Sequence, residues 1–250
     1  MIIGAHVPED NPIEQAESVG AAAIQMFVGP PQSFKKPPPR PDADELKASD
    51  IPIYVHAPYP INVASPNNRI RIPSRKILAD TLERSAEIGA AGVIVHAGHA
   101  EDDIEKGFIR WRKVFEEVKD GAPPILIENT AGGDNAMGRR AEVIARLWEQ
   151  IGEFDPCFCF DTCHAHAGGE DLDEVVERLL AGIGKIDLVH ANSSRDAAGS
   201  GRDRHANFDG GQIDIDVLVD MVRASKSSVV ICETPWSDIA KDIEILRNQV

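Results

Sequence analysis

The sequence predicts an α/β fold: a single (β/α)8 TIM barrel over residues 1–250, with its site at the C-terminal ends of the strands. Three observations predict it. A length of 250 residues is usual for one such barrel. Short apolar, β-rich runs alternate with amphipathic stretches from end to end. No linker interrupts them, because Lys35-Lys36-Pro37-Pro38-Pro39-Arg40-Pro41, linker-like in composition, falls inside a βα unit and reads as a stiff, basic loop.

Taken in order, Met1-Ile2-Ile3-Gly4-Ala5-His6 opens a strand at 2–6, followed by a helix near 12–19. Strand 22–27 then pairs with helix 42–48, 51–56 with 73–89, 91–96 with 104–119, 123–128 with 138–152, 157–161 with 172–184, 186–190 with 214–225, and 229–233 with 237–247. Eight strands, each followed by a helix, is the count for closure. Two helix starts have local support. Pro73 suits a first-turn position, where a missing N–H costs no hydrogen bond. Asp171 with Glu174 three residues on reads as a capping box.

Hydrophobic residues at 42% and charged residues at 27% allow a sizeable core and exclude global disorder. No apolar run reaches the roughly 20 residues of a membrane helix, and the start lacks the features of a signal peptide. Cys157, Cys159, Cys163 and Cys232 fit free cytosolic thiols better than a disulfide framework. A net charge of −15 argues, alone, against nucleic acid. Two points weaken that: the acidic residues concentrate in helices that would face solvent, and bound divalent metals would invert the field locally.

The last residues of the proposed strands are His6, Phe27, His56, His96, Glu128, Asp161, His190 and Glu233. One such histidine reads as a hydrogen-bonded core residue. Six titratable groups on six consecutive strands, from His56 to Glu233, would repel one another if buried without metal. The loops add His164, Asp203 and His205. Five imidazoles and four carboxylates suit zinc, with manganese or iron as alternatives, and nine ligands suggest more than one ion.

His56-Ala57-Pro58-Tyr59-Pro60-Ile61-Asn62, Glu128-Asn129-Thr130-Ala131-Gly132, Asp161-Thr162-Cys163-His164-Ala165 and Asp203-Arg204-His205 resemble the signatures of the endonuclease IV family, which repairs abasic sites in DNA. Gly4-Ala5-His6-Val7 and Glu233-Thr234-Pro235 are also similar, so the resemblance runs nearly end to end. It implies a trinuclear zinc site: His56, His96 and Glu128 on one ion, Glu128 bridging to a second completed by Asp161, His190 and Glu233, and His164, Asp203 and His205 on the third. It implies hydrolysis 5′ to an abasic site leaving a 3′-hydroxyl, and trimming of blocked 3′ ends. The implied partner is double-stranded DNA carrying such lesions. A monomer is expected, cytoplasmic, and nucleoid-associated in a bacterium. The chain departs from the family pattern at Val28-Gly29-Pro30-Pro31-Gln32-Ser33-Phe34, where other members are more basic and amide-rich and end in tryptophan, and at Pro60, where leucine is common.

Glu128 is the choice for bridging carboxylate and orienter of the nucleophile. Tyr59-Pro60 reads either as a wedge between bases or as loop packing. Arg69, Arg71, Arg75 and Lys76, then Lys35, Lys36 and Arg40, then Arg195, Arg202 and Arg204 follow strand ends and would share a phosphate-binding face; a solvated loop surface is the plainer reading of any one of them. His6, His99 and His166 near the rim read as structural, with His99 a candidate to support His96. Cys157 and Cys159 share the parity of Asp161 and read as small interior residues. Gly132-Gly133-Asp134 and Gly168-Gly169 are turns, not phosphate cradles. Two rivals are a sugar isomerase on a related barrel, which needs no His164-Asp203-His205 trio, and a damage-binding protein without activity.

Overall fold

The computed structural model describes residues 1–250. Eight parallel strands close a barrel: β1 (Ile2–His6), β2 (Ile24–Met26), β3 (Ile53–His56), β4 (Gly92–His96), β5 (Ile125–Glu128), β6 (Cys157–Asp161), β7 (Leu188–His190) and, after a short hairpin of β8 (Ser193–Ser194) and β9 (His205–Ala206), β10 (Val229–Cys232). β10 pairs with β1 and β1 with β2, so no edge is left open. The helices are α1 (Pro12–Ser18), α2 (Ala43–Ala48), α3 (Asn68–Glu87), α4 (Ile104–Glu116), α5 (Ala141–Ile151), α6 (Thr162–Gly168), α7 (Val175–Ile183), α8 (Ile215–Ser225) and α9 (Ile239–Gln249).

The core has two parts. A cluster of 53 buried residues fills the space between strands and helices. A smaller one, Ala23, Ile94, Leu126, Cys159, Leu188, Val229 and Ile231, fills the barrel interior, with Tyr54 and Cys157 against it. The two cysteines thus take the small interior positions expected of them. Gly92 makes room there: a Cβ would lie 2.3 Å from Leu126 Cδ1.

Several boundaries move from the sequence expectation, each for a local reason. The strands expected from 51 and 123 begin two residues later, past Pro52 and Pro123-Pro124, because proline cannot donate to a ladder. Pro73 is not at a helix start. α3 begins five residues earlier, where Asn67 Oδ1 accepts from Arg69 N at 2.9 Å, and carries Pro73 inside. α5 starts at Ala141 rather than 138, because the chain before it is tied to the neighbouring loops: Met137 N donates to the Gly98 carbonyl, the Gly138 carbonyl accepts from Thr130 N at 3.0 Å, and Arg140 is extended at φ −127°. Asp171 does not cap α7 directly. Its carboxylate accepts from Asp173 N at 3.0 Å, which closes a turn, and α7 begins at Val175. α6, entirely buried, is a ninth helix. It springs straight off β6, with Asp161 as N-cap accepting from His164 N at 2.6 Å, and ends at Gly169 with φ 80°.

Candidate metal centre

Alternate residues of a strand face the same side. His56, His96, Glu128, Asp161, His190 and Glu233 each stand two residues beyond Tyr54, Ile94, Leu126, Cys159, Leu188 and Ile231, all of which lie in or against the interior cluster. The same pleat that buries the apolar residues therefore aims the polar six inward at the barrel mouth.

Glu128 sits at their centre. Its Oε2 lies 3.2 Å from His56 Nε2 and 3.3 Å from His96 Nε2; its Oε1 lies 3.0 Å from His190 Nδ1 and 3.3 Å from His164 Nδ1. His190 Nδ1 also lies 3.2 Å from Glu233 Oε2 and 3.8 Å from Asp161 Oδ2. α6 delivers His164, and the β8–β9 hairpin lowers Asp203 and His205 over it. Asp203 Oδ1 is 3.1 Å from both His164 Nε2 and His205 Nε2. All nine residues singled out in the sequence converge. His56, His96 and Glu128 offer donor atoms within 4.8 Å of one another, as do Glu128, Asp161, His190 and Glu233. The last trio is joined through Asp203. His164 and Asp203 also group with His96, while His205 approaches Asp161 at 3.6 Å.

The donors fit divalent cations. His164 Nε2 and His205 Nε2 are buried and have no hydrogen-bond partner, although each is close to Asp203. Donors about 2.0–2.1 Å from a tetrahedral zinc stand roughly 3.3 Å apart, so close, poorly aligned nitrogen and oxygen pairs are what co-ligands present. Burial opposes the Glu128 charge, but the facing His96 and His190 hold its carboxyl well below the usual range. Burial drives His96 itself down to about 4, whereas the carboxylates around His190 and His164 raise both against burial, so these two are cations beside Glu128 at neutral pH. Burial opposes the His190 cation too, yet Glu233 and Glu128 raise it to about 9; Asp161 and Asp203 do the same for His205, also to about 9. Without metal, protons on these imidazoles balance the buried carboxylates, and cations would displace them. Burial and Asp161 push the Cys163 thiol up to about 12, and burial pushes Cys159 well above its ordinary value, so neither is a ready thiolate. All four cysteines are unpaired.

Supporting residues are the part that sequence reasoning missed. Asn129 Nδ2 donates to the Asp161 carbonyl at 2.9 Å, and Asn192 Nδ2 donates to Asp161 Oδ2 at 2.7 Å while its Oδ1 accepts from Glu233 N at 2.8 Å. Gln25, fully buried on β2, contacts His6, His190 and Glu233. The signal for Gln25 was a lone polar residue inside an apolar strand. His99 does not support His96; its side chain is 42% exposed and lies beside Glu101. His166 Nε2 binds the Asp196 carbonyl at 3.0 Å, a structural role.

Above the donors opens a cleft of about 1110 Å³, whose lining includes Phe27, Tyr59, Arg195, Arg204 and Trp236. Tyr59 takes both readings at once. Its ring packs 5.3 Å from Phe27, 5.5 Å from His56 and 6.0 Å from His96, yet 44% of the residue is exposed. Pro60 lines the adjoining hollow with His99 and Asp203. Trp236, 39% exposed, also escaped the sequence reading. The basic residues do not form one shared face. Lys36 pairs with Glu83 at 2.9 Å and Arg75 with Glu117 on the outer wall, and Arg40 pairs with Asp42 at 2.6 Å. Arg69 is exposed on the first turn of α3, outside the cleft lining; Arg204 lines the cleft but is tied to Asp196, its Nε donating at 2.7 Å.

A closed parallel barrel with a His/carboxylate cluster at its mouth defines a class, and residues 13–249 match the family model of the xylose isomerase-like TIM barrel. Within that class, the chain is 56% identical over 251 residues to "Probable endonuclease 4" of Mycobacterium tuberculosis, covering 100% of this chain and 99% of the relative, and 54% identical to that of Mycobacterium leprae with the same coverage. The crystal structure of endonuclease IV from Thermus thermophilus superposes with a TM-score of 0.86 at 28% identity, covering 100% of this chain and 98% of that one. A D-tagatose 3-epimerase-like protein shares the fold, with a TM-score of 0.79 at 20% identity. The chain belongs to the endonuclease IV family and is an enzyme of the nuclease type.

Proposed function

We propose that this enzyme hydrolyses the phosphodiester 5′ to abasic sites in double-stranded DNA, leaves 3′-hydroxyl ends, and trims blocked 3′ termini. One observation carries the reading: a fully buried carboxylate, Glu128, faces four imidazoles, two on each oxygen, at the floor of an open cleft. That arrangement suits a carboxylate shared between cations. His56, His96 and Glu128 would hold one zinc, Glu128, Asp161, His190 and Glu233 a second, and His164, Asp203 and His205 a third, with manganese or iron an alternative at one position.

Bound divalent cations supply Lewis acidity toward a phosphodiester and bring the pKa of water toward neutrality. The chain's own residues set the geometry. Glu128 fixes the spacing of the donors on its two oxygens and orients the nucleophile. Tyr59 walls the cleft and presents a free ring face to the duplex. Arg195 and Arg204 offer positive charge at the rim, where Glu9 and Asp10 also line the cleft, so the affinity for DNA depends on the cations below. The protein acts as a monomer in the cytoplasm, at the nucleoid in a bacterium; no helix is long and apolar enough to cross a membrane.

The test is incision of a duplex carrying one abasic site, with end-group analysis and metal content on the same preparation. Cleavage 5′ to the lesion with a 3′-hydroxyl and two or three metals per chain is expected. One metal per chain and no incision would point instead to sugar chemistry on the shared barrel, for which the His164-Asp203-His205 trio has no use.

A further inference from the structure

Gln25 is an uncharged side chain that touches the side chains of two proposed donors from behind the cluster. It is fully buried on β2, opposite His6 in the ladder, and its amide has three partners. Its Nε2 donates to Glu233 Oε1 and lies 2.9 Å from His6 Nδ1. Its Oε1 lies 2.6 Å from His190 Nε2. The orientation of the amide follows from chemistry. An ionised carboxylate only accepts hydrogen bonds, so Glu233 must face the NH2 of Gln25. The amide oxygen is then turned to His190, whose Nε2 must carry a proton to donate to it. A neutral imidazole with a proton on Nε2 has its lone pair on Nδ1, and Nδ1 is the atom set among Glu128, Glu233 and Asp161.

We propose that Gln25 is a positioning residue that commits His190 to its Nδ1-donor tautomer and aligns it with Glu233, so that two ligands of one ion are set by a single amide. The proposal rests on the metal-site reading above and deepens it. Gln25 does not touch the substrate; it acts through His190 and Glu233. Outer partners of metal-bound histidines typically carry a factor of about 10–100 in metal affinity, and Gln25 serves two ligands.

The test uses the zinc-loaded full chain, with nitrogen-15 NMR of the imidazoles and a chelator competition followed by metal content. Wild type should show His190 protonated on Nε2 only. Gln25→Met keeps the volume and removes all three polar contacts, those to His190 and Glu233 among them. It should lose the single His190 tautomer and release one zinc per chain roughly 10–100-fold more readily, the remainder being held as before. Gln25→Glu restores the acceptor but opposes Glu233. It should keep the Nε2–H tautomer and still weaken the same ion, and it decides the matter should Gln25→Met not fold. An unchanged tautomer and unchanged zinc retention in Gln25→Met overturns the proposal, as does loss of the tautomer in Gln25→Glu. A wild type that holds no zinc overturns both this and the metal-site reading. A wild type that holds zinc, shows the tautomer and fails to cut abasic DNA overturns only the proposed function.

Discussion

The floor of the barrel mouth and its rim are built on different terms. On the floor, Glu128, Asp161 and His190 are fully buried at strand ends, and each is fixed by several partners. At the rim, Tyr59 and Trp236 are partly exposed on loops, and Arg204 is held by a surface carboxylate. The floor is over-determined, because removing one group leaves others buried and unpaired, a cost of several kcal/mol in such sites. The rim is adjustable, because its groups return to water. Substitutions should therefore divide by region: floor changes strike kcat and metal content, rim changes strike KM and salt dependence.

The largest effect is expected from Glu128→Gln. The amide keeps the shape but presents an NH2 where two imidazoles now face an oxygen. Incision of an abasic duplex should fall on the order of 10³-fold in kcat, with a protein that stays folded by circular dichroism. Wild-type turnover would remove Glu128 from the centre of the scheme. Asp203→Asn comes next, at roughly 10²-fold, with loss of about one metal per chain by elemental analysis. This substitution probes the boundary between the regions, because Asp203 is 43% exposed yet stands 3.1 Å from two buried nitrogens. A KM effect with full metal content would assign Asp203 to the rim.

Metal removal sharpens the floor further. In the metal-free protein His190 and His205 titrate at about 9, raised by their carboxylate neighbours against burial. Both therefore carry protons at neutral pH that a cation must displace. Zinc uptake by the stripped enzyme should release protons at pH 7, and release should shrink as pH rises toward about 9, where the imidazoles are already losing them. Calorimetry in buffers of different ionisation enthalpy measures this. Release that grows with pH would contradict the protonation pattern.

The same division explains what could be read from the residues alone. The floor was legible because the strands are otherwise apolar, so a histidine or carboxylate at a strand end stands out, and the period of two points it inward. α6 was not legible: seven residues with two histidines show no amphipathic stripe, and the helix is set by the Asp161 cap and by burial on every side. Gln25 is harder to read because it stands inside a strand rather than at its end, and Phe27, the expected end of that strand, lies beyond β2. Lys36 and Arg75 misled because the carboxylates that neutralise them are far off in sequence. Glu83 lies 47 positions from Lys36, and Glu117 comes from a different βα unit than Arg75.

At the rim, Tyr59→Ala and Trp236→Ala should each raise KM about 10-fold and leave kcat and metal content nearly unchanged, since stacking on a base contributes about 1–3 kcal/mol. A fall in metal content for Tyr59→Ala would show that its packing on His56 and His96 outweighs its exposed face.

The smallest effect belongs to Arg204. In the free protein its guanidinium is bonded to Asp196, and a solvent-screened surface pair of this kind contributes little to stability. To meet a phosphate it must exchange one anion for another, so the net gain is small, and its mark should be seen in salt dependence rather than in affinity. Arg204→Gln should weaken binding of an abasic duplex only a few-fold and reduce the slope of log affinity against log salt by about one. Arg69→Gln should do less, because Arg69 stands on α3 outside the cleft lining. An Arg69 effect equal to or larger than that of Arg204 would move the path of the duplex off the β8–β9 hairpin and onto the start of α3. The rim would then include a surface that the cleft alone does not define.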